Sequence, residues 1–414
     1  MIKKIKILKE FISVKNFYSK KKLELYQQKY LKYILLSHNS QFYPKSTRLE
    51  DFPIINKKIF MDNFDLINTI NIKKDEAFNI ALSSEKSRNF SNKIGDISVG
   101  LSSGTSGNRG IFLVSEDESA KWAGYILRRM LPKPWFRKHK IAFFLRANSN
   151  LYETLGSKLI EFNFYDLIKP IEEHINQLNL TQPTILIAPA QVLKLLALSK
   201  NLDIRPEKVI SVAEVLEEDD ENIISKRFDQ KVHQIYQCTE GFLAHTCKYG
   251  HLHLNEDFVY IEKEWIDKKS GRFTPIVTNF FRTTQPVIRY KLDDILVLDP
   301  TPCECGSVFT KLKKIEGRCD DILKVKDVNN KEYLLFPDFV RRAIIQADEM
   351  IQEYKVELIS DQLHIYLKPL ETKKNVENAL QTLYKIHNIK PLKHSYYLYV
   401  RDDLIHKRRR IKQL

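Results

Sequence analysis

A chain of 414 residues is too long to fold around one small hydrophobic core, so its length suggests two or three domains. Its hydrophobic content of 43% is ample for globular domains. The formal net charge of +15 suits a nucleic acid, a membrane surface or an acidic ligand. Much of the excess positive charge lies at the two ends of the chain, and the remaining basic residues are not interleaved with aromatic residues, so we expect no nucleic-acid partner. An odd count of five cysteines, a charged start and no apolar run long enough to span a bilayer predict a cytoplasmic protein with no transmembrane segment.

The first half of the chain alternates helical and strand-like segments. Apolar residues recur at near-helical spacing over residues 1–37 and again over 57–64, which predicts a helical lead-in of about 60 residues. Downstream we expect helices at 116–130 and 192–199 and strands at 97–99, 111–114, 140–145, 184–188, 209–212 and 232–235. This alternation predicts an α/β fold around a mixed or parallel sheet.

The second half is richer in strands and ends in a separate module. We expect strands at 259–261, 275–278, 287–290 and 295–298. After Arg318 the pattern predicts a small α+β module with strands at 322–325, 354–359, 363–367 and 396–400 and helices at 336–347 and 375–386. The sequence therefore predicts a large N-terminal domain, residues 1–318, and a small C-terminal domain, residues 319–414.

A loop rich in glycine and hydroxyl groups lies between the strands predicted at 97–99 and 111–114. It reads Leu101-Ser102-Ser103-Gly104-Thr105-Ser106-Gly107-Asn108-Arg109-Gly110, in a chain that has only 12 glycines. Glycines allow close backbone approach, and successive N–H groups with Ser and Thr hydroxyls form an anion site suited to a triphosphate. No Lys-Ser/Thr pair follows the glycines, so the loop is not a P-loop; the alternative is a plain surface loop.

Four further stretches carry groups that suit a nucleotide. Tyr236-Gln237-Cys238-Thr239-Glu240 combines an aromatic ring for a base with oxygen ligands for Mg²⁺. Tyr290-Lys291-Leu292-Asp293-Asp294 ends in a carboxylate that suits ribose hydroxyls, and Gly317-Arg318-Cys319-Asp320-Asp321 adds a cation and two acids. Lys407 lies in a basic run near the end of the chain.

Together and in this order, these stretches resemble the adenylate-forming superfamily of acyl- and aryl-acid ligases over residues 50–414. The match is best with the branch of phenylacetate–coenzyme A ligase and coenzyme-F synthetase-like proteins, and within it with a subgroup described only as adenylate-forming enzymes. The resemblance also includes Thr184-Ile185-Leu186-Ile187-Ala188-Pro189-Ala190 and Ser211-Val212-Ala213-Glu214. It implies a mobile C-terminal domain and an ATP- and Mg²⁺-dependent reaction that converts a carboxylic acid to an acyl-adenylate with release of pyrophosphate. Transfer to a thiol, of coenzyme A or an acyl carrier protein, would follow.

The resemblance also assigns roles to residues. The phosphates would be held by Ser103, Gly104, Thr105, Ser106 and Gly107, and Mg²⁺ by Glu240 beside Thr239. The adenine would lie against Ala213, Glu214 and Tyr236, and the ribose against Asp294 and Arg318. Asp320 matches the hinge, and Lys407 the lysine that bridges substrate carboxylate and phosphate. Three positions depart from the family pattern: Asn108-Arg109 replaces Lys-Pro, Asp293 replaces Gly, and His406 replaces the Gly before the lysine, so a solvated basic tail stays an alternative for Lys407.

A second cluster has the chemistry of a metal site. Cys303-Glu304-Cys305-Gly306 carries two thiols, and Cys247 and His253 precede it in the same strand-rich region. Two Cys/His groups can build a closed tetrahedral zinc site, and a Cys-x-Cys-Gly here resembles zinc-bearing members of the branch. The expected set for a structural Zn²⁺ is Cys247, His253, Cys303 and Cys305; unmetallated buried thiols are the alternative.

The leading hypothesis is therefore an acid–thiol ligase. The alternatives are adenylyl transfer to a non-thiol acceptor, a non-catalytic basic nucleic-acid-binding protein, and a catalytically inactive binding module. The sequence names neither the acid nor the thiol acceptor, and it gives no oligomeric state.

Overall fold

The computed structural model describes residues 2–89, 92–102, 109–145, 158–400 and 409–414, without the side chains of Ile2, Asp320 and Asp338. The chain forms two compact units. The first consists of Met1–Leu292 and Val297–Lys314, and the second of Asp293–Leu296 and Ile315–Leu414. The predicted division at Arg318 into a fixed and a mobile domain stays a prediction.

The N-terminal lead-in is helical, and its helices are α1 Ile2–Ser13, α2 Lys20–Ser37, α3 Lys57–Asp62, α4 Phe64–Ile67 and α5 Lys74–Ser87. The helix predicted over residues 1–37 is interrupted at residues 14–19, where Val14 and Phe17 are buried in an extended connection. The Asn56 side chain accepts a hydrogen bond from the Ile59 amide and so caps α3.

A small antiparallel sheet carries the two strands that flank the glycine-rich loop. Its strands, in the order β1-β2-β3, are β1 Lys93–Ile94, β2 Ile97–Leu101 and β3 Ile111–Val114. Helix α6, Glu116–Met130, follows directly and begins with a capping box between Ser115 and Glu118. The helix predicted over residues 116–130 is therefore confirmed, and the capping box fixes its start.

The parallel part of the large sheet consists of alternating strands and helices. These are β4 His139–Leu145, β5 Ile160–Asp166, α7 Ile171–Thr181, β6 Ile185–Ala188, α8 Ala190–Leu198, β7 Lys208–Val212, α9 Glu218–Phe228 and β8 Val232–Cys238. The strands pair in parallel in the order β5-β4-β6-β7-β8. Strand β6 is buried along its whole length, as expected for a strand covered on both faces.

The sheet continues from β8 with antiparallel pairing. Its strands are β9 Gly241–Thr246, β10 Leu252–Leu254, β11 Val259–Asp267, β12 Arg272–Asn279, β13 Tyr290–Lys291, β14 Asp294–Leu298 and β15 Lys311–Arg318. Their order is β11-β12-β14-β15-β10-β9-β8; β14 begins and β15 ends in the second unit. The predicted mixed sheet is confirmed. The strand predicted at 287–290 is wrong in extent, because Arg289 adopts φ +48° and breaks the extended backbone before Tyr290.

The second unit is the predicted α+β module. Its elements after β15 are β16 Leu323–Lys326, β17 Glu332–Leu335, α10 Pro337–Ile345, β18 Glu353–Ile359, β19 Gln362–Lys368, α11 Lys373–Ile386, β20 Lys393–Leu398 and β21 Ile411–Gln413. Four strands form one sheet in the order β20-β19-β18-β21, and α11 buries Val376, Leu380 and Tyr384 in the shared core. Among the described residues of the whole chain, none of the helices has the length and apolarity needed to cross a membrane.

Candidate active site and metal centre

The carboxyl ends of three adjacent parallel strands bring several predicted nucleotide ligands to one edge of the large sheet. Ala213 and Glu214 follow β7, and Thr239 and Glu240 follow β8. The Glu214 carboxylate accepts a hydrogen bond from the Gln191 amide, 3.2 Å away, in the first turn of α8 after β6. In open α/β sheets, ligands bind at this edge.

The turn after β7 holds a non-glycine residue in a sparsely populated conformation. Ala213 has φ +65°, and the Glu214 amide donates to the Val212 carbonyl oxygen over 2.8 Å. A left-handed alanine costs about 1–2 kcal/mol, and such strain concentrates at binding sites. This geometry fits the predicted adenine-binding turn, and Ala213 is the residue that carries the strain.

The predicted Mg²⁺ ligand is held through its own backbone. The Asn279 Nδ2 group donates to the Glu240 carbonyl oxygen over 2.8 Å, and the Thr239 hydroxyl donates to the Glu240 carboxylate over 2.9 Å. A Cβ at Gly241 would come within 2.6 Å of Asn279 Nδ2, so only glycine allows this close approach. The Glu240 side chain is half-buried and lies at a strand end.

Arg282 links this turn to the strand that follows the glycine-rich loop. Its Nη1 donates to the Thr239 carbonyl oxygen and its Nη2 to the Leu113 carbonyl oxygen, both over 2.9 Å. Arg282 is 8% exposed, and its Nε has no hydrogen-bond partner in the structure. One guanidinium therefore holds the end of β8 beside β3.

The segment around Arg282 is tied to α6 as well. The Glu118 carboxylate accepts from the backbone amides of Thr283 and Thr284 over 2.6 and 2.8 Å. The Gln285 side-chain oxygen accepts from the Leu113 amide over 3.0 Å. The Glu118 and Gln285 side chains are buried, so their hydrogen bonds fix the segment in one conformation.

The neck of the glycine-rich loop is closed by two hydrogen bonds. The Ser102 amide donates to the Gly110 carbonyl oxygen, and the Gly110 amide donates to the Ser102 hydroxyl, each over 2.7 Å. Arg109 donates to the Glu85 carboxylate on α5 over 2.9 Å, and this ion pair lowers the pKa of Glu85. The residue that departs from the family's Lys-Pro pattern thus anchors the loop. The predicted phosphate ligands Ser103, Gly104, Thr105, Ser106 and Gly107 lie outside the described residues.

Tyr236, the residue predicted to contact the adenine, lies in β8 and is 8% exposed. The pairing of β8 with β9 shifts register between Tyr236 and Gln237. The Gln237 side chain accepts a hydrogen bond from the Trp122 indole of α6 over 2.9 Å. Register shifts of this kind redirect side chains and are frequent beside active sites.

In the second unit, the structure brings the two predicted ribose ligands together. Arg318 Nε lies 3.7 Å from Asp294 Oδ1, and both side chains are partly exposed. The Cys319 amide donates to the Asp293 carbonyl oxygen over 2.6 Å, which joins β14 to the short 3-10 turn Cys319–Asp321. The backbone of Asp320 lies in this turn; its side chain lies outside the described part.

The basic C-terminal run is partly built into the second unit. Arg409 Nε donates to the Asp321 carboxylate over 2.6 Å, and Arg410, 8% exposed, lies over the Tyr354 ring. The segment then forms β21, which pairs in parallel with β18. Lys407 lies outside the described residues, two positions before the anchored Arg409.

The four predicted zinc ligands converge in the first unit. Cys247 follows β9 in a turn that ends at Gly250, His253 lies in β10, and Cys303 and Cys305 lie in the turn between β14 and β15. Their ligand atoms all lie within 4.8 Å of one another. All five cysteines of the chain are free of disulfide bonds. The pairing of β10 with both β9 and β15 therefore brings the two loops together.

The spacing within this cluster is that of ligands around a tetrahedral ion. Cys247 Sγ lies 3.8 Å from Cys303 Sγ, and Cys305 Sγ lies 3.5 Å from His253 Nε2. Zn–S bonds of about 2.3 Å and Zn–N bonds of about 2.0 Å at tetrahedral angles give separations of about 3.8 and 3.5 Å. The other ring nitrogen of His253 lies 3.2 Å from the Phe309 carbonyl oxygen, which orients Nε2 toward the thiols.

Burial makes the thiolate forms of this cluster costly unless a metal ion binds them. Burial raises the pKa of the Cys305 thiol to about 12 and also raises the pKa of Cys247. Without a cation the thiolates would be strongly disfavoured, whereas coordination to a divalent metal deprotonates such thiols. His251 Nδ1 lies 3.2 Å from Cys303 Sγ, outside the predicted set of four.

Four residues of this architecture were not predicted as functional: Glu118, Asn279, Arg282 and Gln285. Three of them lie in the segment 279–285, between two predicted strands, where no glycine or metal-ligand pattern marks them. The stretch Asn279-Phe280-Phe281-Arg282-Thr283-Thr284-Gln285 mixes aromatic and polar residues, which indicates a packed connection but does not identify the partners of its polar groups. A connection of that kind needs buried partners for its polar groups.

Comparisons with known proteins agree with this geometry. No protein-family profile matches the chain. Protein CapK of Staphylococcus aureus is 28% identical over 188 residues, which cover 43% of this chain and 41% of CapK. Phenylacetate-coenzyme A ligase of Thermus thermophilus is 25% identical over 111 residues, 25% of this chain and 23% of that enzyme. The matched segments span less than half the length of either relative.

The three-dimensional likeness extends much further along the chain. The crystal structure of 2-hydroxyisobutyryl-CoA ligase in the postadenylation state, in complex with 2-HIB-AMP, covers 95% of this chain and 89% of its own, with a TM-score of 0.65 and 15% identity. The predicted resemblance and fold class are thereby confirmed, whereas the individual site residues stay predictions. The chain has the fold of the adenylate-forming acid–CoA ligases.

Proposed function

We propose that the protein activates a carboxylic acid with ATP and then transfers the acyl group to a thiol. In the first step a carboxylate oxygen bonds to the α-phosphorus, and the bond from that phosphorus to the bridging oxygen breaks, which releases pyrophosphate. In the second step a thiolate sulfur bonds to the acyl carbon, and AMP leaves with the electron pair of the acyl–oxygen bond. The fold and the arrangement at the strand ends support this proposal.

The observation that carries the proposal is the bridge made by Arg282. It holds the Thr239 carbonyl beside the Leu113 carbonyl, so the predicted Mg²⁺ turn lies next to the strand leaving the predicted phosphate loop. Phosphoryl and nucleotidyl transfer depends on positioning and charge stabilisation more than on covalent participation by the protein. A fixed distance between the phosphate loop and the metal ligand meets that need.

In this proposal the phosphates, the adenine and the ribose of ATP are each bound by particular residues. Glu240, with Thr239 beside it, would hold Mg²⁺, which supplies positive charge to the phosphates when bound. The residues from Ser103 to Gly107 would hold the phosphates, and Ala213, Glu214 and Tyr236 the adenine. Asp294 would accept hydrogen bonds from the ribose hydroxyls, with Arg318 keeping its carboxylate in place.

The second unit would supply the mobile groups. Asp320 is the proposed hinge, because it lies in the 3-10 turn that follows β15 in the second unit. Lys407 is the proposed cation that bridges the substrate carboxylate and the α-phosphate. The anchoring of Arg409 by Asp321 supports this assignment over a solvated tail, since it ties the basic run to the turn of the proposed hinge.

The Cys/His cluster would hold one structural Zn²⁺ ion. Cys247, His253, Cys303 and Cys305 supply four ligands at tetrahedral spacing, which leaves no open position for substrate. The ion would tie the β9–β10 turn to the β14–β15 turn.

The substrate class proposed is an aryl or acyl acid of the kind used by phenylacetate–coenzyme A ligase, and the acceptor is coenzyme A or an acyl carrier protein. The partial likeness to the Thermus thermophilus enzyme supports this narrower choice.

The test is carboxylate-dependent exchange of radiolabelled pyrophosphate into ATP, over a panel of aryl and aliphatic acids. At least one acid should stimulate exchange above the acid-free control. Adding coenzyme A, a loaded carrier protein or an amine then identifies the acceptor by the product formed. No exchange with any acid, together with a stable AMP–protein or AMP–acceptor product, would establish adenylyl transfer instead. Retention on nucleic acid with a steep salt dependence and no exchange would support the binding-protein alternative.

A further inference from the structure

Helix α1 is apolar on two opposite faces. Ile7 and Phe11 are buried toward the protein, and the helix packs so closely on α6 that a Cβ at Gly124 would lie 2.7 Å from the Phe11 amide nitrogen. On the other side, Ile5, Leu8 and Ile12 are 60%, 46% and 67% exposed. Surface helices of globular proteins normally carry polar residues on that side.

The exposed apolar residues form a single ridge between lysines. Their spacing of three and four residues places Ile5, Leu8 and Ile12 on one face, and Lys4 and Lys9 flank that face on either side. Neither lysine has an ion-pair partner among the described residues. The neighbouring acids Glu10 and Asp117 are ion-paired with Lys121 and Lys6, so the ridge has no unpaired acid beside it there.

A loop with two aromatic residues packs against the edge of α1 at Phe11. Phe136, in the connection between α6 and β4, is 67% exposed, and its ring centroid lies 6.1 Å from that of Phe11. Trp135 lies 5.7 Å from the same ring, and the Lys133 ammonium lies 5.1 Å from the Trp135 ring centroid. Aromatic rings with adjacent cations are typical of protein surfaces that meet the headgroup region of a membrane.

We propose that the outer face of α1, with the loop of Trp135 and Phe136, docks on an anionic membrane surface. The ridge is convex, because it is the side of α1 opposite its packing face, and a convex row of aliphatic side chains enters a deformable lipid layer more readily than a rigid protein groove. Lysines beside the apolar row reach anionic headgroups while their stems cover apolar surface. The docked protein would work beside acids or acyl products that partition into the lipid.

The experiment is co-sedimentation of the full chain with vesicles of phosphatidylcholine and phosphatidylglycerol (7:3), compared with phosphatidylcholine alone. Binding should require phosphatidylglycerol and should weaken as salt is raised. The double variant Lys4→Gln/Lys9→Gln should lower the partition coefficient about thirtyfold, because each lysine near an anionic surface contributes about fivefold. Leu8→Asn/Ile12→Asn should lower it by at least about tenfold.

Two matched variants on distant helices serve as controls. Lys373→Gln/Lys374→Gln removes the same charge from α11, and Leu180→Asn removes an aliphatic side chain that is 85% exposed at the end of α7. Both should bind vesicles like the unmodified chain, and circular dichroism should show all variants folded. Equal sedimentation of the α1 variants and controls would overturn the proposal. So would self-association of the unmodified chain, measured by sedimentation velocity, that disappears in Leu8→Asn/Ile12→Asn.

Discussion

Strand β9 connects two sites that are built in opposite ways. At its start lies the Thr239–Glu240 turn, which is held by hydrogen bonds from Arg282 and Asn279 to backbone carbonyls. At its end, about 20 Å further along an extended strand, Cys247 joins the Cys/His cluster. The first site leaves the Glu240 carboxylate half-exposed, whereas the second directs all of its ligand atoms at one another.

Under the proposed function, one sheet would carry a ligand site and a structural site at opposite ends of the same strand. Holding a turn by its carbonyls leaves side chains available for a ligand, which suits the proposed binding and release of a nucleotide. Directing four side chains at one point leaves nothing for a substrate, and this suits an ion that never leaves. Mutations at the two ends of β9 should therefore affect different measurements.

The largest effect is expected from Lys407, the residue proposed to bridge the substrate carboxylate and the α-phosphate. Lys407→Ala should slow adenylation by about two to three powers of ten, because the cation that stabilises charge between carboxylate and phosphate is lost. When the variant is given a pre-made acyl-adenylate, thioester formation should stay nearly unchanged. Lys412→Ala, five residues further on in β21, is the control. Equal losses in both half-reactions would make Lys407 structural, and no loss would make it a solvated tail residue.

Glu240→Gln should lower the adenylation rate by roughly a hundredfold or more, since it removes the charge of the proposed Mg²⁺ ligand while keeping the side chain's shape. The melting temperature should hardly change, because the carbonyl that Asn279 binds is still present. Glu172→Gln, on the exposed side of α7, provides the control. An active variant with the original metal dependence would contradict the assignment of the nucleotide end.

Arg282→Lys tests whether the bridge positions the metal ligand. Lysine keeps the charge but cannot span the Thr239 and Leu113 carbonyls as a planar fork does. The apparent affinity for Mn²⁺ in the presence of ATP, followed by electron paramagnetic resonance, should fall about tenfold, the usual range for residues that orient metal ligands. A variant that loses stability but binds Mn²⁺–ATP normally would show that the bridge is only structural.

At the other end of β9, Cys303→Ser should remove one zinc per chain and lower the melting temperature by at least about 5 °C. The adenylation rate of the folded fraction should stay within about threefold of the original. Elemental analysis of protein purified without added metal measures the zinc content. The control variant Cys319→Ser should retain the ion. Absence of zinc together with unaltered melting of Cys303→Ser would favour buried thiols.

The smallest effect concerns a histidine in β8 that contacts the last residue of β9. His233 Nδ1 lies 2.9 Å from the Thr246 hydroxyl, and burial, with a contribution from Lys208, lowers the pKa of His233 to about 3. The unfolded chain takes up this proton near pH 6.5 and the folded chain does not, so stability is lost as the pH falls below about 6.5. His233→Gln should reduce the loss of unfolding free energy between pH 7 and pH 5 by about 2 kcal/mol. Urea unfolding at each pH measures this free energy. Between pH 7 and pH 8 the unfolding free energy should change with pH equally in the two proteins.

The sequence predicted best the elements whose local signals agree with their environment. Helix α6 was predicted over residues 116–130, which are its observed bounds, and in the structure the Ser115–Glu118 capping box fixes its start. Helix α9 was missed: its sequence, EDDENIISKRF, has few apolar residues, and its acidic first turn and basic last turn are weaker signals. The end of the strand predicted at 287–290 was misjudged because the left-handed Arg289 has no sequence signature.

The candidate sites, like the secondary structure, could be predicted from the sequence only where local residue patterns mark them. Cysteine and histidine spacing was sufficient to name the four clustered ligands, because few other residue types bind zinc. Arg282 could not be found in this way, because its partners are the backbone carbonyls of Leu113 and Thr239, which every residue has. Contacts to the main chain between distant segments depend on the tertiary fold, so sequence patterns do not reveal them.

The closed neck of the glycine-rich loop has a consequence for how substitutions within the loop affect the strands on either side of it. Two reciprocal hydrogen bonds between Ser102 and Gly110 fix both ends of the intervening segment at one point, and Arg109 ties that point to α5. Lengthening or replacing residues within such a segment changes the entropy of closure only slightly and leaves the register of β2 and β3 intact. Substitutions between Ser102 and Gly110 should therefore leave the pairing of β2 and β3 intact, so their effect on the proposed phosphate site can be measured without loss of the fold.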